Sequence, residues 1–314
     1  MGVHGLTGWM RSCPQVFSEQ IRLFQGSKVV IDAKGLAYYL YTTETNPDAL
    51  PPLDFLYGGE YAGLYQRVVD FLENLRHAGI VPLFVVDGLP DPKKSATSQS
   101  RDEDTRADLH ELDCLLQRNE APLSQIIPEF GNHKFVKPPF LLATVLEALR
   151  DASAYIYRSD GEADALIAAL TYRPYWNQMI EFLDSIDDNV SRRNSAIEET
   201  QQPIYVVSND SDFVIFDIPG VIPFAELFVS REGNLVSATV FQARKLAAVM
   251  RVPVSFLPTF ACLVGNDFMP SKTWLHSQLT TYVETHLQGG RINKKKKKRK
   301  RAGAGAGSQS REKM

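Results

Sequence analysis

Four short apolar segments constrain what this chain can fold into. They are Lys28–Asp32 (KVVID), Val81–Asp87 (VPLFVVD), Ala154–Tyr157 (AYIY) and Pro203–Val207 (PIYVV). Each is rich in β-branched or aromatic residues and too short for a helix. That is the pattern of a strand covered on both faces of a parallel sheet. Helical patterns fall between them at about 60–77, 102–119, 140–151 and 161–170. The alternation predicts an α/β fold, doubly wound, with a mostly parallel twisted sheet and helices on both faces.

Three of the strands end in or lead to acid. Asp32 closes the first and Asp87 the second, and Asp210 and Asp212 follow the fourth in Ser208-Asn209-Asp210-Ser211-Asp212. In an open parallel sheet, ligand sites lie outside the carboxyl ends of the strands. One such Asp can simply cap the next helix. Four acids that converge repel one another and raise their pKa values, so a site that gathers them needs cations. Glu162 and Asp164, in Gly161-Glu162-Ala163-Asp164-Ala165, can share a centre only near a helix start, because each helical residue turns the chain by about 100°. Asp267, in Gly265-Asn266-Asp267, completes a set of seven carboxylates; alone, it reads as a turn residue.

Hard oxygen ligands without sulfur or imidazole suit Mg²⁺ or Mn²⁺. Two such ions about 3.5–4 Å apart can activate a water and stabilise the leaving oxygen of a phosphodiester. A glycosidase needs two carboxylates, not seven. The three cysteines, Cys13, Cys114 and Cys262, have no metal-ligand spacing and read as reduced structural thiols; the six histidines, His4 among them, are scattered. No apolar run reaches the roughly 18–20 residues needed to span a bilayer, and the N-terminus lacks a secretory pattern. The expectation is a soluble, intracellular chain without a membrane partner.

The net charge of −3 hides an asymmetry. Residues 294–314 hold ten Lys/Arg and one acid, which leaves 24 basic and 36 acidic residues in the body. Lys294–Arg301 is eight consecutive basic residues, a pattern for a nuclear localisation signal or a sequence-independent phosphate tether. From about 289 onward the composition cannot build a core, so 289–314 is expected to be a disordered basic tail behind a single domain of 1–288. Residues 88–140 read as a polar excursion above the sheet edge, and 171–202 as a charged surface insertion.

In order, the chain carries Met-Gly-Val-His-Gly-Leu at its start, Ile-Asp at Asp32, Val-Val-Asp-Gly at Asp87, Gly-Glu-Ala-Asp-Ala at Glu162 and Asp164, Ser-Asn-Asp-Ser-Asp at Asp210 and Asp212, and Gly-Asn-Asp at Asp267. Together these are similar to the flap-endonuclease (XPG) superfamily, whose core resembles a PIN domain. Tyr57-Gly58-Gly59-Glu60-Tyr61, the run into Phe213–Asp217 and the atypical segment after Asp267 look most like its asteroid family. The resemblance implies a nuclear, structure- or single-strand-selective DNA endonuclease with two Mg²⁺ or Mn²⁺ ions. It implies that Asp32, Asp87, Glu162 and Asp164 support one ion and Asp210, Asp212 and Asp267 the other. It also implies removal of Met1, leaving Gly2 near the site, and places Lys93, Lys94 and Arg101 where basic residues steady the phosphate.

One departure bears on substrate. The family's Gly-Ile-Gly-Pro-type element, which grips duplex DNA, is replaced after Asp267 by Phe268-Met269-Pro270-Ser271-Lys272. Single strands or free ends are therefore the expected DNA partner, in DNA repair. Asteroid proteins are also longer, so residues past 275 read as a truncated or divergent end. Two alternatives remain open at this level: a non-catalytic scaffold or adaptor in signalling, and an RNA-directed nuclease with the same metal chemistry.

Overall fold

A computed structural model describes residues 14–42, 59–118, 138–186, 201–229 and 236–265, with Val3, Leu6, Gly8 and Met10 ahead of them. Its centre is one mixed sheet in the order β1-β8-β6-β5-β2-β3-β4, with β7 also paired to β8. The strands are β1 (Ser18–Leu23), β2 (Lys28–Asp32), β3 (Val81–Val86), β4 (Tyr155–Arg158), β5 (Tyr205–Val207), β6 (Val221–Ile222), β7 (Leu227–Val229) and β8 (Val236–Phe241). Five of them, β6-β5-β2-β3-β4, run parallel. β8 runs antiparallel to β6, β7 and β1. The four segments expected from sequence are the adjacent strands β5-β2-β3-β4 of this order.

Period-2 alternation builds a core on each face. Val30, Leu83, Val85 and Val206 point into one core, and Val29, Ile31, Phe84, Val86, Tyr205 and Val207 into the other. The second core is covered by α2 (Ala33–Thr42), α3 (Tyr61–His77) and α5 (Leu141–Asp151), which bury Leu36, Leu72 and Val145 against it. The first is covered by α6 (Asp164–Leu170), α7 (Arg173–Ile186), α8 (Ala243–Met250) and α9 (Leu257–Val264). A short α1 (Pro14–Phe17) adds Phe17 to that face. The architecture is therefore α/β with helices on both faces.

Two regions differ from their sequence reading. The polar stretch after β3 is a continuous helix, α4 (Ser95–Arg118), entered through a 3-10 turn at Pro92–Lys94. Its scarcity of apolar residues hid its first two turns. The expected surface insertion begins with α7, whose Trp176 is 1% exposed and whose Leu183 is also buried. Tyr155 donates to Asp184 at 2.9 Å and Lys28 sits 5.9 Å from the Trp176 ring, so α7 is tied to β4 and β2. Tyr175, Phe182 and Ile186 of α7, and Tyr172 just before it, are exposed. Cys114 and Cys262 are free thiols and neither is buried; Cys13 lies outside the described residues. Among the described residues, no single helix is long and apolar enough to cross a membrane.

Candidate metal-binding nuclease site

Because β5, β2, β3 and β4 are parallel neighbours, their carboxyl ends open on one edge. The chain leaves β2 at Asp32 and turns at once into α2. Asp32 Oδ1 accepts from the backbone N–H groups of Lys34 and Gly35, each at 3.0 Å. That is a helix N-cap, which satisfies two donors the helix cannot pair internally. A Cβ at Gly35 would stand 2.5 Å from Asp32 Oδ2, so glycine leaves this carboxylate its room. Oδ2 accepts from Ser208 Oγ at 3.0 Å.

Ser208 joins two strand ends. Its hydroxyl also accepts from the Asp210 N–H at 3.1 Å, and the residue is 1% exposed. Asp210 in turn caps the 3-10 turn Ser211–Val214, accepting from the Asp212 N–H at 3.0 Å. Asn209 Oδ1 accepts from the Phe224 N–H at 3.2 Å, which pins the same loop to the 3-10 turn that follows β6. Ser208→Ala removes a bond to a buried carboxylate and strands the Asp210 N–H. The expected cost is about 1–3 kcal/mol in stability. Urea unfolding of the variant and the wild type measures it.

The β3 and β4 ends are zipped through backbone. Gly88 N–H donates to Gly161 at 2.7 Å, Leu89 N–H to Asp160 at 3.1 Å, and Ser159 N–H to Val86 at 2.9 Å. This brings Asp87 to the start of α6, where its Oδ1 accepts from the Ala163 N–H at 3.0 Å. Glu162 lies in the turn before the helix and Asp164 is its first residue. Two lysines reach in. Lys34 Nζ is 3.0 Å from Asp87 Oδ2, and Lys94 pairs with Glu162 Oε2. Lys94 is only 12% exposed.

The acids repel one another. Burial, opposed by hydrogen bonds from Gly35 and Ser208 and assisted by the charges of Asp87 and Asp210, holds the Asp32 pKa above the usual carboxylate range. Burial and the charges of Asp210, Asp87 and Asp212 push Asp164 up to about 7, against the pull of Lys94. Burial lowers the Lys34 pKa, but the charge and hydrogen bond of Asp87, with Tyr38 and Asp32, together outweigh it and the net shift is upward. For Asp164 the folded pKa exceeds the unfolded one. The metal-free fold therefore loses stability as pH rises from about 4 to about 7, where the unfolded chain has already released this proton. In EDTA, Asp164→Asn is expected to stabilise by roughly 2–4 kcal/mol at pH 8, by less at pH 5 and hardly at all at pH 4. Thermal melts of both proteins across that range check the sign.

Thus the structure gathers Asp32, Asp87, Asp164, Asp210 and Asp212 at one edge, linked by each other's fields, and Glu162 joins them through Lys94, whose charge also acts on Asp164. Lys94 belongs to the group; Lys93 is exposed on the 3-10 turn, and Arg101 lies two turns further along α4. Gly2, His4 and Asp267 lie outside the described residues. Sequence reasoning did not single out Lys34 or Ser208 for a role. Ser208 stood inside a quoted motif, whereas nothing in the sequence signals that Lys34 meets an acid 53 positions away.

The donor set suits a hard divalent cation: carboxylate oxygens whose charges are incompletely offset, two of them already facing ammonium groups. Among the described residues, no three His, Cys, Asp or Glu side chains close on one point as assembled metal ligands do. With Lys34 on Asp87 and Lys94 on Glu162, those two acids are committed to other cations.

Comparison with known proteins shows what the chain is similar to. The XPG N-terminal domain matches residues 1–108. Single-strand DNA endonuclease ASTE1 of Danio rerio is 28% identical over 279 residues, 86% of this chain and 33% of that protein. The constitutive coactivator of peroxisome proliferator-activated receptor gamma of Homo sapiens is 23% identical over 289 residues, 86% of this chain and 26% of that protein. Protein asteroid of Drosophila melanogaster is 26% identical over 170 residues, 54% of this chain and 17% of that protein. The chain spans about a third or less of the length of these relatives. Among solved structures, the catalytic core of Rad2 in complex with a DNA substrate aligns at 16% identity and a TM-score of 0.47, over 86% of this chain and 64% of that one.

Proposed function

We propose that this chain, which belongs to the asteroid family of the flap-endonuclease (XPG) superfamily, hydrolyses DNA phosphodiester bonds with divalent metal ions. The observation that carries this reading is the row of acids on four adjacent strand ends, where burial and the neighbouring charges together push Asp164 up to about 7. Asp32, Asp87, Glu162 and Asp164 would hold or support one Mg²⁺ or Mn²⁺, and Asp210, Asp212 and Asp267 a second. Ions bound there would supply Lewis-acid activation of water and of the leaving oxygen. The protein's own share is positioning. The caps at Asp32 and Asp210 fix two carboxylates, Ser208 couples them, and the Gly88–Gly161 backbone bond sets the β3 acid against the β4 acids. No protein nucleophile is required. Lys93, Lys94 and Arg101 are assigned to the phosphate backbone.

The substrate assigned is single-stranded DNA or free ends, on the basis of the sequence after Asp267 and the name of the ASTE1 relative. A nuclear place of action in DNA repair belongs to the same proposal and is supported by the basic run at 294–301. Purified protein is to be offered labelled single-stranded, overhang, flap and duplex DNA and a matching RNA, with Mg²⁺ or with EDTA. The expected result is Mg²⁺-dependent cleavage of single strands and overhangs. Folded protein that cleaves none of these would overturn it.

A second reading is favoured by the coactivator relative: the fold as a scaffold for a partner. It predicts partner or DNA binding that is indifferent to EDTA and survives substitution of Asp32 and Asp164. Cleavage of the RNA in preference to DNA would instead select the RNA-directed nuclease.

A further inference from the structure

We infer that Lys34 is a tethered cation inside the carboxylate cluster, which competes with a divalent ion for Asp87. The inference rests on the metal-site reading above and concerns how that site is regulated. Lys34 lies in the first turn of α2, two residues after Asp32. Its backbone N–H is fixed on Asp32 Oδ1 at 3.0 Å, so its Cα cannot drift from the β2 end. Its side chain crosses to the neighbouring strand, where Nζ stands 3.0 Å from Asp87 Oδ2.

Which oxygen it takes matters. Asp87 Oδ1 already accepts from the Ala163 N–H at 3.0 Å. Oδ2 is the remaining oxygen, and Lys34 holds it. An ammonium and a divalent ion cannot both sit in contact with one carboxylate oxygen, because their like charges would then lie within a few ångströms in a partly desolvated site. A metal that takes Asp87 Oδ2 must therefore displace Lys34. The lysine can yield: its side chain is 39% exposed and its four-carbon stem is flexible. The pair thus stabilises the metal-free protein and weakens metal binding by the same amount, since the metal-bound state forfeits it. Metal occupancy then requires a threshold concentration, set by a residue that is not itself a ligand.

The test is Mn²⁺ binding by the full chain, measured by titration calorimetry and by the electron spin resonance signal of free Mn²⁺, together with melting temperature in EDTA. Lys34→Met keeps the length and removes the charge; Lys34→Arg keeps the charge. Lys34→Met is expected to bind Mn²⁺ roughly three- to thirtyfold more tightly, to melt lower in EDTA and to gain more on Mn²⁺ addition. Lys34→Arg is expected to stay near the wild type. Lys34→Gln serves as a second neutral variant should the Met variant fail to fold. If the neutral variants bind Mn²⁺ no more tightly than a wild type that does bind it, the competition is overturned and the metal site stands. If the wild type binds no Mn²⁺, both fall.

Discussion

Asp210→Asn is expected to remove Mg²⁺-dependent cleavage while leaving the protein folded. Asp210 does two jobs that a single substitution can separate. Its Oδ1 caps the 3-10 turn Ser211–Val214, and asparagine caps as well as aspartate. Its charge acts on Asp32 and on Asp164, and asparagine removes that. Losing one anionic ligand from a two-ion site costs several kcal/mol in the transition state, so the rate should fall by three or more orders of magnitude. The metal-free melting temperature should hold or rise, because one source of repulsion is gone. Alanine would mix the two effects and leave the Asp212 N–H without its acceptor. Single-turnover cleavage and melts in EDTA, run side by side, read the two jobs separately. Undiminished cleavage by the Asn variant would remove Asp210 from the proposed site.

The second large effect concerns a residue with no side chain. A methyl group at Gly88 would overlap the carbonyl oxygen of Ser159 and stand 2.7 Å from the carbonyl carbon of Asp160. Neither can move alone, because the same backbone is bonded across at Gly88–Gly161, Leu89–Asp160 and Ser159–Val86. Gly88→Ala must therefore push the β3 and β4 ends apart. The expected loss is about 3 kcal/mol or more, by overpacking plus broken backbone bonds. Activity should fall further than stability, since Asp87 and Glu162 would separate. Denaturant unfolding with cleavage measured well below the midpoint tests both parts. A variant of normal stability and activity would mean that the two strand ends are less tightly joined than these distances state.

The acid edge was legible in sequence because two independent regularities met there. Short β-branched runs gave the parallel strands, and Asp at or after their ends gave the edge. The four segments are adjacent in the sheet, each within a residue or two of its expected bounds. What escaped was what lacks that regularity. β1 is mostly polar and exposed (SEQIRL), and β6 is two residues long. β8 alternates in sequence as VSATVF but buries nearly every residue, since α-helices and partner strands surround it. Helix α4 began seven residues earlier than the pattern showed, because a helix polar on all sides has no stripe to betray its start. Lys34 and Lys94 meet their acids across 53 and 68 positions, separations no local spacing can reveal. Of the two roles open to Asp32 in sequence, the structure shows the cap, with Oδ1 on the helix N–H groups and Oδ2 on Ser208; the ligand role belongs to the proposed function.

That double duty bears on how this fold would age if its chemistry were abandoned. A descendant that kept only the scaffold would still need a capping side chain at positions 32 and 210, and selection for folding alone would keep Asp, Asn or Ser there. Acids at those two positions are thus poor witnesses to catalysis. Asp164 is the opposite case. Among the described residues it caps no helix N–H, and at neutral pH burial and its acidic neighbours make it a burden on the fold. Drift would erase it early. Across relatives of this chain, an acid retained at the position of Asp164 separates those still under pressure to cut from those that merely fold.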